Sequence, residues 1–218
     1  MPEAAWLKLI GVLPGLLWVV FATVVFFTLR SGLVGQLDRL TALRTPFGEA
    51  DFAAGLALLE EAEQRAGTSA PLSPQQRRAV VNRLDHAAAC LKDGRLLWVD
   101  DNPAFNQPIV RLLERSGMTV DLARSTEEAL TRIDRHGYDL LITDVRRGDD
   151  DQAGIRLVTE VARRRPALPI VIFTAGFDPR RGVDPAVFAY TTDVDEVVHY
   201  VIDIMERLRF GSRFSRAS

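Results

Sequence analysis

Apolar positions fall along this chain in three regimes. Leu9 to Leu29 is a run of 21 residues without a charge. Between 31 and about 92 the apolar residues recur at helical spacing. From Lys92-Asp93-Gly94 onward, short apolar runs alternate with amphipathic stretches, the pattern of a parallel sheet covered on both faces by helices.

The uncharged run is long enough for about 31 Å of helix, against a bilayer core of roughly 30 Å. Pro14 and Gly15 fall near its start, where a membrane helix tolerates them. A cleaved leader would have a shorter apolar stretch behind a more basic start. Residues 1–30 are therefore expected to be a retained single-pass membrane anchor. Arg30, Arg39 and Arg44 follow the run, against Lys8 and Glu3 before it, which places the C-terminal bulk in the cytoplasm.

Residues 31–92 read as a helical juxtamembrane linker. Leu33, Leu37 and Leu40 line one side of a helix ending near Thr45-Pro46. That stripe allows a homodimer, although Arg44 interrupts the seam and fewer than three heptads are present. Phe52, Leu56 and Leu59 mark a second helix. Ser73-Pro74-Gln75-Gln76 is a capping-box start for a third, with Val80, Leu84, Ala88 and Leu91 on one face. His86 in that helix reads as a surface residue.

Residues 93–209 carry five strand signals: Leu96–Val99, Thr119–Ala123, Leu140–Thr143, the apolar run from Leu168, and Val187–Tyr190. Helices are expected at Pro103–Ser116, after the Ser125-Thr126-Glu127-Glu128 capping box, at Gln152–Arg165 and at Asp193–Leu208. The total is a five-stranded doubly wound parallel sheet. Residues 210–218 read as a flexible tail.

The chemistry lies where the strands stop. Arg95-Leu96-Leu97-Trp98-Val99 runs into Asp100-Asp101, the third strand runs into Asp144, and the fourth into Thr174. Ligands of open parallel sheets bind at the carboxyl ends of strands. Adjacent carboxylates there need a hard cation such as Mg²⁺. If the three strands are neighbours, Asp100, Asp101, Asp144 and Thr174 meet in one pocket. A metal, an attacking carboxylate and a hydroxyl for a phosphoryl oxygen are what phosphoryl handling requires. A formal charge of −2 in 218 residues argues against a commitment to nucleic acid, and the single Cys90 excludes an intrachain disulfide or a thiolate metal site.

On these residues the stretch from about Arg95 to Leu208 resembles the receiver domain of two-component response regulators, a flavodoxin-like fold. The spacings, 43 residues from Asp101 to Asp144 and 30 from Asp144 to Thr174, also resemble the family's. The resemblance implies that Asp144 is the phosphoacceptor. Asp101 would bind Mg²⁺ directly, Asp100 would help, and the backbone carbonyl of Arg146 would complete the protein ligands. Thr174 would hold the phosphoryl oxygen, and Tyr190 would be the aromatic switch. A sensor histidine kinase or another signalling protein is the implied partner. No enzymatic or DNA-binding output domain is legible.

The departures are specific. The family's lysine after the fifth strand has no counterpart, since Lys8 and Lys92 are the only lysines. Asp193, its nearest match, reads as a cap for the last helix together with Glu196. Arg180 or Arg181 would be substitutes for the missing cation. The loop Val145–Gly154 is longer by about two residues than the family's path to its glycine, and Asp149, Asp150 and Asp151 in it read as solvated. Two prolines and two glycines between Gly176 and Pro185 argue against a regular fourth helix. A pseudo-receiver, keeping the fold as an interaction module without phosphoryl chemistry, is the alternative. A Mg²⁺-dependent phosphohydrolase is disfavoured, because Arg146 stands where its general acid would be.

Overall fold

Strand formation follows the bounded apolar runs. In a computed structural model describing residues 48–66, 71–174 and 184–215, these runs become β1 (Arg95–Val99), β2 (Thr119–Ala123), β3 (Leu140–Thr143), β4 (Ile170–Phe173) and β5 (Val187–Thr191). All neighbours are parallel, in the order β2-β1-β3-β4-β5. The order reverses at β1 and β3, so a crevice opens at the carboxyl ends of those two strands. Their register pairs Leu96 with Leu140 and Val99 with Thr143.

Alternation along each strand divides the core in two. Leu96 and Trp98 face one side with Leu140, Ile142, Val171 and Phe173; Leu97 and Val99 face the other with Leu141, Ile170 and Ile172. The first side is covered by α3 (Gln107–Arg115) and α6 (Val194–Ser215), the second by α4 (Thr126–Arg135) and α5 (Ala153–Arg164). Trp98 is fully buried and meets Phe173 edge-on at 6.0 Å between ring centroids.

The first side carries a further layer. Helices α1 (Glu49–Ala66) and α2 (Pro74–Leu91) form a pair, α1 lying on α3 and α2 on α6. Leu59, Ala62, Val80, Leu84, Ala87 and Leu91 join the same apolar cluster as the sheet. The stretch read as a linker is thus, from residue 49 on, part of one compact unit with the sheet, spanning 45–218. The reason is the width of the apolar faces: α6 offers Val197, Val198, Val201, Ile202 and Met205, more than one sheet face can bury. Polar ties fix the pair. Glu63, 5% exposed, accepts from Arg77 Nε at 2.6 Å and from the Leu72 amide at 2.8 Å. Arg83 on α2 pairs with Asp203 and reaches His199 Nδ1 at 2.8 Å. Ser73 makes the expected capping box with Gln76.

Several boundaries differ from the sequence reading. Helix α3 starts at Gln107, not Pro103, because 102–106 form a turn closed by the Phe105 amide on the Asn102 carbonyl, 3.0 Å. At Ser125 only half of the capping box forms: its hydroxyl accepts from the Glu128 amide, while Glu128 accepts from the Arg124 amide at 2.9 Å. The last helix continues to Ser215, so the expected tail at 210–218 is helical over most of its length. Arg209 anchors that extension, donating to the Cys90 carbonyl at 3.3 Å and the Lys92 carbonyl at 2.7 Å.

The apolar run 9–29, the leucine stripe near Leu33 and the pair Arg180-Arg181 lie outside the described residues. Among the described residues, no helix is long and apolar enough to cross a membrane.

Candidate functional site

The sheet ladder continues one residue past β1 and β3. The Asp100 amide donates to the Ala123 carbonyl at 2.9 Å, and the Asp144 amide to the Val99 carbonyl at 3.1 Å. Both acids are therefore fixed at the crevice by backbone bonds, whatever their side chains do. The Thr174 amide likewise donates to the Thr191 carbonyl at 3.1 Å, which sets Thr174 at the same end of β4.

Each acid has a distinct surrounding. Asp100 Oδ1 accepts from the Asn102 amide and Oδ2 from Asn106 Nδ2, both at 2.7 Å. This explains why Asn106 starts α3 without capping it: its amide is turned to the acid instead. Burial pushes the Asp100 carboxyl above the usual carboxylate range, and the charges of Asp144 and Asp101 push it the same way against those two hydrogen bonds. Asp101 is exposed and accepts from the Gly148 amide at 2.7 Å. Asp144 Oδ1 is buried and, among the described residues, has no hydrogen-bond partner.

The loop after β3 is built around close approaches. Gly154, at the start of α5, donates to the Val145 carbonyl at 2.8 Å. A Cβ there would stand 2.7 Å from Val145 Cα and collide with the Asp144 carbonyl. Arg147 and Asp150 exchange backbone bonds at 3.1 and 3.0 Å around a turn with Gly148 at φ +56°. Arg146 is exposed, whereas Arg147 is 7% exposed and turned inward. Burial pulls the Arg147 guanidinium below its usual range, opposed by the charges of Asp144, Asp100 and Asp101 in that order and then by Glu127.

The expected residues are thus partly assembled. Asp100 feels the charges of Asp144 and Asp101, and Thr174 shares their end of the sheet. Tyr190 lies on β5 with 40% exposure, an outward aromatic rather than a core one. Asp193 contributes its amide, not its carboxylate: the amide donates to Thr191 Oγ1 at 2.9 Å, and that hydroxyl donates to Glu196 at 2.5 Å. Of the three acids in the loop, Asp149 and Asp151 are exposed as expected, while Asp150 pairs with Arg156. His86 is exposed, with its ring nitrogen on the Asn82 carbonyl. Arg147 is what the sequence reading missed. The longer loop marked the region, but nothing in it separated Arg147 from exposed Arg146.

The donors suit a hard cation in kind. They are carboxylate oxygens that repel one another, and one is buried with no partner among the described residues. As the side chains stand, Asp100 and Asp101 are engaged by amides, and among the described residues no three acidic, histidine or cysteine groups surround one point.

A parallel sheet in this order, with acids at the ends of β1 and β3, defines a doubly wound α/β protein of the receiver class. Residues 96–194 match the family described as the response regulator receiver domain. Over 122 residues, 53% of this chain, it is 30% identical to the transcriptional regulatory protein GlrR of Escherichia coli. It is 29% identical over 180 residues, 78% of this chain, to a gliding motility regulatory protein of Myxococcus xanthus. The chain spans only about a quarter of the length of these relatives, 27% and 23%. The response regulator TrrA of Thermotoga maritima, solved in complex with Mg²⁺-BeF, is similar over 51% of this chain and 98% of its own, with 26% identity and a TM-score of 0.46.

Proposed function

We propose that this domain accepts a phosphoryl group on Asp144. An Asp144 carboxylate oxygen attacks the phosphorus of a phosphohistidine on a partner kinase, or of a small acyl phosphate. The P–N or P–O bond breaks, and the imidazole or carboxylate leaves with its electron pair. Mg²⁺, held by Asp100, Asp101, Asp144 and the Arg146 carbonyl, supplies charge neutralisation when bound. Thr174 donates its hydroxyl to a phosphoryl oxygen. The modified domain then shifts between two conformations, with Tyr190 on β5 as the reporter. The observation that carries the reading is the Asp144 carboxylate: backbone-fixed beside Asp100 at the switch point, with a buried oxygen that lacks a partner among the described residues. We place the domain on the cytoplasmic side of a membrane, anchored by residues 9–29, as the uncharged run and the arginines after it suggest.

One preparation tests both parts. The full chain should stay with membranes through a high-salt wash and come off only in detergent; release by salt would remove the anchor. The purified chain, incubated with Mg²⁺ and a small acyl phosphate, should gain one phosphoryl mass, and Asp144→Asn should gain none. An adduct that survives Asp144→Asn would move the acceptor elsewhere. No adduct from either the acyl phosphate or a panel of phosphorylated histidine kinases would leave a pseudo-receiver, an interaction module that works without phosphorylation.

A further inference from the structure

A buried guanidinium is costly unless something of opposite charge meets it. Arg147 is 7% exposed, and among the described residues Nε and both terminal nitrogens are buried without a hydrogen-bond partner. It is not stray: the Arg147–Asp150 backbone pair holds its base, and Gly148 in the same turn is tied to Asp101 at 2.7 Å. Asp150 is pinned in turn by Arg156. The charges it feels most are those of Asp144, then Asp100 and Asp101. Yet among the described residues none of these carboxylates is close enough to form an ion pair with it. The site thus holds a buried cation that feels the charge of Asp144 without pairing with it, and Asp144 itself has, among the described residues, a buried oxygen without a partner.

We propose that Arg147 is the phosphoryl-binding cation of this receiver, taking the part of the lysine that the chain lacks after β5. The inference rests on Asp144 being the acceptor. A phosphoryl group joined to Asp144 extends from the carboxylate and adds negative charge, so it can bridge the separation that the bare acid leaves open. The guanidinium fork suits phosphoryl oxygens, to which it can donate two parallel hydrogen bonds. The signal would then enter the protein at a different place. A lysine after the fifth strand would pull on β5, whereas Arg147 pulls on the 146–152 turn, and through Gly148 on Asp101.

The test uses beryllofluoride as a phosphoryl stand-in, titrated with Mg²⁺ into the full chain in detergent and followed by calorimetry. Arg147→Gln should weaken binding about ten- to hundredfold, the scale of losing charge-assisted hydrogen bonds. Arg147→Lys should recover most of that affinity. Without ligand, Arg147→Gln should melt at the same temperature or higher, since it removes a buried unpaired charge. A purely structural arginine would instead lower the melting temperature and leave the affinity of the folded fraction unchanged. Binding of Arg147→Gln within twofold of wild type, with Asp144→Asn not binding, overturns the inference and spares the acceptor assignment. Absence of binding by the wild-type chain removes both. Should the glutamine variant fail to fold, Arg147→Met and the lysine variant provide the same comparison.

Discussion

At the scale of single residues, presentation of Asp144 depends on Gly154. The start of α5 comes so near the strand end that the Gly154 amide meets the Val145 carbonyl, leaving no room for a Cβ. The obstacle is backbone on both sides, which cannot rotate away as a side chain could. Gly154→Ala should therefore destabilise the fold by about 3 kcal/mol. A lowered urea midpoint checks this, with the slope unchanged, and a shift below about 0.5 kcal/mol would contradict it. The acids were legible in the sequence because each ends an apolar run, a signal that needs no tertiary information. Asn106 and Arg147 were not. A polar residue buried to serve a neighbour leaves no periodic trace, and an arginine beside exposed Arg146 in an acidic loop looks the same whether it points in or out.

At the scale of elements, strands were read almost to the residue, since bounded apolar runs and parallel burial coincide. Helix starts moved where side chains had other work, as Asn106 did on Asp100. The docking of α1 and α2 was the larger gap: their apolar stripes were visible, but a stripe does not name the surface that covers it. The pair depends on one buried ion pair. Glu63 is 5% exposed and takes both Arg77 and the Leu72 amide, which opens α2's approach. Glu63→Ala should cost about 3 kcal/mol, because the Leu72 amide loses its acceptor and Arg77, largely shielded, keeps only the longer contact with Glu60 at 3.6 Å. Hydrogen exchange should rise in α1 and α2 before it rises in β1 or β3. Equal acceleration throughout would mean that the pair is not a separable layer. The same pair reaches the site, since Arg65 on α1 donates to the Ala104 carbonyl in the turn after Asp100-Asp101.

At the scale of the whole 45–218 unit, the seam between α2 and α6 carries a pH dependence. Arg83 can only donate, so its 2.8 Å contact requires His199 Nδ1 to accept, which holds the ring neutral. Burial pushes the His199 imidazole below its usual range and the Arg83 charge adds to this, while Asp195, Asp203 and Glu196 oppose it. The unfolded chain therefore takes up the proton first as the pH falls. Across the window from the usual imidazole value, about 6.5, down to the depressed folded one, the unfolded state binds more protons and stability drops with falling pH. Asp195 is pushed the opposite way, above the usual carboxylate range, by burial. Thermal unfolding between pH 7.5 and 5.5 should show the melting temperature declining for the wild-type chain. His199→Gln keeps a polar group beside Arg83 without a titrating ring, so it should decline less. Parallel curves for the two chains would assign the dependence to other groups. A shallower curve for His199→Gln would show that α2 is held to the receiver by a contact that acid weakens.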